Sequence, residues 1–126
     1  DFLLLMYPVI DMGRHAHAAS REHLLGPSPQ AADIAAYSLQ NRVKPGMPPV
    51  FLLHANDDAS VHVENTLLFF EALRAAQVPA ELHVYPRGGH GFGVRDIADS
   101  TLRLWPGIAD AWIRDTERHE VPSNDP

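Results

Sequence analysis

In Val50-Phe51-Leu52-Leu53-His54-Ala55-Asn56-Asp57-Asp58, four consecutive apolar residues run without alternation into a cluster of polar ones. A short, unbroken apolar run is the pattern of a strand covered on both faces, as in a parallel sheet. The turn-rich Lys44-Pro45-Gly46-Met47-Pro48-Pro49 leads into it, and Asn56 to Ser60 reads as the loop that leaves it. A helix is then expected from about Val63 to Ala76. Its apolar stripe is read from Leu67, Phe70 and Leu73 with Leu68, Glu71 and Ala75, which recur at helical spacing.

The same reading extends outward in both directions. Upstream, Phe2 to Tyr7 is a second unbroken apolar run, closed by Pro8. Asp11 to Gly26 has no periodicity and reads as an excursion over the surface. Ser28-Pro29 looks like an N-cap followed by Pro at the first helical position, opening a helix through about Ser38. Downstream, Ala80 to Tyr85 alternates like a strand near a sheet edge, and Arg87 to Arg95 is a glycine-rich loop. The last helix is expected from about Ser100 to Arg118, with Leu102, Trp105, Ala109 and Trp112 on one face. Pro106 marks either a kink or that helix's true start. Residues 1–118 are expected to be part of a single α/β domain and 119–126 a polar tail. Strands alternating with helices imply a mostly parallel sheet flanked by helices.

Composition narrows the partners. The chain has 126 residues, with 16 acidic residues against 10 Lys and Arg, a formal net charge of −6. No basic stripe exists to meet a polyanion, so nucleic acid is not an expected partner. Cysteine is absent, which removes disulfides, zinc–thiolate sites and cysteine nucleophiles. The longest apolar run, Phe2 to Ile10, falls well short of the roughly 20 residues that span a bilayer, and no membrane partner is expected. The sequence begins at Asp1, directly on a buried-type strand, so its start is expected to be a cut within a domain.

In open α/β sheets the chemistry lies beyond the carboxyl ends of the strands. Asp58 follows one strand and His90 the next, and both loops leave the same edge of the expected sheet. A carboxylate there can hold an imidazole in one tautomer, so that the imidazole removes a proton from a hydroxyl and returns it to a leaving group. Gly88, Gly89 and Gly91 allow the histidine loop positive φ. An Asp-Asp pair before a helix is also ordinary turn chemistry, a capping role open to Asp57 and Asp58 alike. His15 and His17, with His23 nearby, read as surface histidines rather than ligands, since no Glu-bearing metal signature accompanies them. His54, closing its strand, reads as a hydrogen-bonded structural residue. A nucleophile elbow, Gly-x-Ser-x-Gly, is absent from the sequence.

Four stretches, in this order, resemble the α/β-hydrolase-fold serine esterases. They are Tyr7-Pro8-Val9-Ile10 with Ser20 to Gly26, Pro49 to Asp58, Val63 to Leu68, and Glu81 to Tyr85 with Gly88-Gly89-His90-Gly91-Phe92-Gly93. The resemblance is to the acetyl-esterase and feruloyl-esterase-like group whose members are often called endo-1,4-β-xylanase B. Dienelactone hydrolases and prolyl oligopeptidase catalytic domains are more distant cousins. It implies the C-terminal part of an α/β-hydrolase fold, with Asp58 as acid and His90 as catalytic histidine. Phe92, two residues after His90, is expected beside the substrate from that proximity alone. Ala55 stands where relatives often have Gly, and His62 where they usually have Pro. The implied activity is hydrolysis of small acyl esters, acetyl esters of carbohydrates among them, through an acyl-enzyme and without metal or organic cofactor. Its implied partners are a small-molecule ester and the upstream half of the same domain, which would bring the serine. A prolyl-oligopeptidase-type peptidase, and a non-catalytic fragment that associates through its open sheet edge, are the alternative expectations.

Overall fold

The computed structural model describes residues 1–120. Strands β1 (Leu3–Met6), β2 (Val50–Ala55) and β3 (Ala80–Tyr85) form one parallel sheet in the order β1-β2-β3. Leu3 lies opposite Val50 and Val50 opposite Ala80, so the three strands begin level and end at one edge. All six residues of β2 are buried, which is why its sequence does not alternate. Its side chains divide two cores. Phe51, Leu53 and Ala55 pack with Phe92, Ile97, Leu102 and Ala109 on the side of helix α4 (Trp105–Glu120). Val50 and Leu52 pack with Ile10, Phe69, Leu73 and Val78 on the side of helix α3 (Glu64–Ala75). The parallel sheet with helices on both faces is that of an α/β protein, as expected.

Three local expectations need correction. The surface excursion contains a helix, α1 (Ala18–Leu25), whose N-terminus is capped by His17: its Nδ1 accepts from the Ser20 N–H. None of its residues is buried, so it has no apolar stripe for a periodicity reading to find. Helix α2 (Ala31–Tyr37) starts after Gln30 rather than at Ser28-Pro29, and a 3₁₀ turn, Leu39–Arg42, follows it. The inward face of α3 is Asn65, Thr66, Phe69 and Leu73, while Leu67 is 43% exposed. Two of those four inward residues are polar, and their hydrogen bonds, not hydrophobicity, orient the first turn.

Pro106 is the second residue of α4, behind a 3₁₀ turn at Thr101–Leu104, so it marks the helix start and no kink. The helix runs to Glu120, and residues 121–126 of the expected tail lie outside the described residues. No helix among the described residues is long and apolar enough to cross a membrane.

Candidate active site

The turn after β2 buries a carboxylate. The N–H of Asp58 bonds to the Ala55 carbonyl, closing a tight turn that draws the residue inward to 2% exposure. Oδ1 accepts from the Ser60 and Val61 N–H groups, both at 2.9 Å. Oδ2 is 2.8 Å from Nδ1 of His90. Burial pushes the Asp58 pKa up. The Val61 N–H, the His90 ring and the Ser60 N–H outweigh it and hold the carboxyl below its ordinary value. An ionised carboxylate only accepts, so the proton in the 2.8 Å contact rides on Nδ1 of His90.

That leaves Nε2 on the other side of the ring. It makes no hydrogen bond among the described residues, and the side chain is 38% exposed. His90 sits between Gly89 (φ +61°) and Gly91 (φ +73°), a left-handed pair that other residues adopt only with strain. The loop is anchored at both ends. Oδ1 of Asp57 accepts from Gly88 N–H at 2.9 Å and Gly89 N–H at 2.8 Å. Farther on, Trp105 Nε1 donates to the Gly93 carbonyl. Asp57 is thus a cap, as its turn chemistry suggested, but one that holds a loop 31 residues away.

Tyr7 was not singled out by the sequence. It follows β1 with φ +40°, an uncommon conformation for a bulky residue, and its N–H bonds to the Leu53 carbonyl. The bend sets the ring edge-on to His90, with centroids 4.9 Å apart, and to Phe92 at 5.2 Å. Phe92 itself is 8% exposed and belongs to the core on the α4 side, beneath Tyr7. It also borders an open cleft of about 490 Å³ with Arg87, Arg95 and Ser100. That cleft contains neither Asp58 nor His90, so it adjoins the acid–histidine pair without enclosing it.

A second buried network holds the loop after β1 against α3. Asn65, fully buried, accepts at Oδ1 from the Ile10 and Asp11 N–H groups and donates through Nδ2 to the His15 and His62 carbonyls. Asp11 accepts from Gly13 N–H, His15 N–H, the Ser38 hydroxyl and the Gln40 amide. His15 and His17 serve this loop and the α1 cap. Among the described residues no group of three or more His, Cys, Asp or Glu side chains is arranged to hold a metal.

The model of the prolyl oligopeptidase family matches residues 2–105. The chain belongs to that family. This prolyl oligopeptidase family member is 40% identical over 107 residues to endo-1,4-beta-xylanase B of Butyrivibrio fibrisolvens, covering 85% of this chain and 16% of the relative. It is 39% identical over 98 residues to acetylxylan esterase of Xylanibacter ruminicola, covering 74% of this chain and 20% of that protein. Among solved structures, it superposes on an acetyl ester-xyloside bifunctional hydrolase from Caldicellulosiruptor lactoaceticus with a TM-score of 0.86 and 39% identity. That match covers 91% of this chain and 42% of the other. The chain therefore spans less than half of each relative. Its fold is the C-terminal part of an α/β-hydrolase domain.

Proposed function

We propose that this chain is the acid-and-histidine part of a serine carboxylic-ester hydrolase acting on small acyl esters, foremost acetyl groups on carbohydrates. The observation that carries this reading is the 2.8 Å contact between Asp58 Oδ2 and His90 Nδ1, beyond the carboxyl ends of β2 and β3. Asp58 orients the imidazole and balances its positive charge. Nε2, on the far side of the ring, takes the proton from a serine hydroxyl as that oxygen attacks the ester carbonyl. The tetrahedral intermediate collapses, and the departing alcohol oxygen takes the proton back from Nε2. Water then repeats the sequence on the acyl-enzyme, releasing the carboxylic acid and restoring the serine. No step calls for a metal or an organic cofactor. Phe92, beneath Tyr7, contributes to the wall beside the histidine.

The serine is assigned to a segment of the same domain outside these 126 residues. The sequence holds no Gly-x-Ser-x-Gly, and the chain spans 42% of the similar solved hydrolase. Among the described residues β1 has a sheet partner on one side only. An apolar groove of about 350 Å³, bordered by Leu3, Leu5, Val9, Met47 and Phe69, lies beside it. A further parallel strand with its helix would cover both. By itself the chain is expected to be inactive.

Acetyl esters are favoured because two of the relatives at 39% identity carry acetyl-ester names. The family description favours a second reading, a prolyl-specific peptidase. The full-length protein separates the two. Higher kcat/KM on an acetylated xylo-oligosaccharide or p-nitrophenyl acetate than on a prolyl p-nitroanilide is expected, and the reverse order would replace the esterase reading. His90→Ala should remove activity on whichever substrate is turned over. Retained activity in that variant would end both readings.

A further inference from the structure

His54 is fully buried at the end of β2, and the reaction just described does not use it. Its ring is held on both sides. Nε2 is 2.8 Å from the Val61 carbonyl oxygen and Nδ1 is 2.7 Å from the Thr66 hydroxyl. A carbonyl oxygen can only accept, so Nε2 carries hydrogen. The same Nε2 is 3.3 Å from Oδ2 of Asp58, the oxygen that faces His90. Val61 closes the circuit, since its N–H donates to Oδ1 of Asp58 while its carbonyl accepts from His54. One imidazole therefore holds the residue whose N–H grips one carboxylate oxygen, and places a polar N–H beside the other.

We propose that His54, set by Thr66, is a positioning residue for Asp58, holding the carboxylate in the rotamer that meets His90. The inference rests on the esterase reading above and deepens it. Asp58 is gripped by its own turn, but the N–H donors at Ser60 and Val61 are loop atoms and rotate with the loop. His54 is anchored to β2, the central strand, and to Thr66 on α3, so it transmits the rigidity of the sheet and helix to that loop. Misplacing a catalytic group by about 1 Å costs on the order of a hundredfold in rate, so a modest loosening here has a visible effect on turnover.

The test uses the full-length protein, with kcat expressed per site titrated to end point by a serine-reactive phosphonate. His54→Leu removes the donor and keeps an apolar filling. It is expected to lower kcat per site at least tenfold with KM within twofold. His54→Gln, which offers an amide N–H near the position of Nε2, is expected to recover most of that loss. An unchanged kcat per site in His54→Leu, a loss confined to the number of titratable sites, or no recovery in His54→Gln would each overturn the proposal. Should His54→Leu fail to fold, Thr66→Val decides instead. A fall of a few fold in kcat per site upholds the proposal and wild-type turnover overturns it. Asp58→Asn, run alongside, separates the two levels. If it keeps activity, the esterase reading itself has failed; if it loses activity while the His54 and Thr66 variants do not, only the role of His54 has.

Discussion

Asp11 and Asp58 occupy equivalent places beyond adjacent parallel strands, and both are nearly inaccessible, at 5% and 2% exposure. Each accepts two N–H groups from the next four residues, and each has a carboxyl held below its ordinary value against the effect of burial. They differ in what the remaining acceptor capacity does. Asp11 directs it to Ser38 and Gln40, fixed groups of its own surroundings. Asp58 directs it to His90, whose side chain is 38% exposed and whose Nε2 has no hydrogen-bond partner among the described residues. A fully enclosed carboxylate stabilises a loop, whereas one that leads to an exposed imidazole can do chemistry. Burial and a lowered pKa alone do not distinguish the two.

Exchanging each carboxylate for its amide in the full-length protein is the most forceful way to break that contrast. Asp58→Asn should lower kcat by about three to four orders of magnitude, because an amide N–H facing Nδ1 disfavours the tautomer that bases need. Its melting temperature should fall as well, because a carboxylate held below its ordinary value stabilises the fold at neutral pH. Asp11→Asn should cost stability alone. It loses charge-assisted bonds to Gly13, His15, Ser38 and Gln40, for about 1–3 kcal/mol of stability, with kcat within about threefold. Paired kinetics and thermal melts check both. Loss of turnover in Asp11→Asn without loss of stability would erase the contrast.

A smaller effect is expected from Asp57, the residue beside Asp58, whose carboxylate tethers the histidine loop. Asp57→Ala frees the Gly88 and Gly89 N–H groups, and loosened placement of His90 should lower kcat about tenfold, with faster amide exchange at Gly88 and Gly89. Exchange that stays slow would mean the Trp105 anchor at Gly93 suffices.

The sequence made the strands legible because β2 is covered on both faces, and β1, half-buried with apolar neighbours on both sides, likewise carries no polar interruption. Asp58 and His90 were legible for a related reason: each follows a strand that ends sharply, in a short loop rich in Asp or Gly. The missed features share a different character. Helix α1 buries nothing, and the inward face of α3 begins with Asn65 and Thr66, so apolar periodicity had no signal there. Tyr7 looked like one more apolar strand residue. Its contact with His90 comes from a positive φ just before Pro8, where the ordinary preference is for extended backbone. The connection between Asp57 and Gly88 spans two loops, and no local pattern encodes a partner that far along the chain. Polar burial is satisfied by particular partners, and those partners become visible only in three dimensions.

The gentlest probe of the comparison is pH. Burial pushes the Asp11 carboxyl up, but the His15 N–H, the Gln40 amide, the Gly13 N–H and the Ser38 hydroxyl together bring it below its ordinary value of 3.8. None of these partners titrates. A group whose folded pKa lies below its unfolded one binds its proton less readily when folded, so its stabilisation is complete above the unfolded value. It is lost as pH falls through the folded one. The gap in melting temperature between the wild-type full-length protein and Asp11→Asn should therefore be constant from about pH 7 to 5. Below pH 3.8 it should narrow as Asp11 takes up its proton and comes to resemble the amide. A gap that stays constant through the acid range would mean that shape, not charge, is what Asp11 contributes to its loop. The kinship with Asp58 would then reduce to position alone.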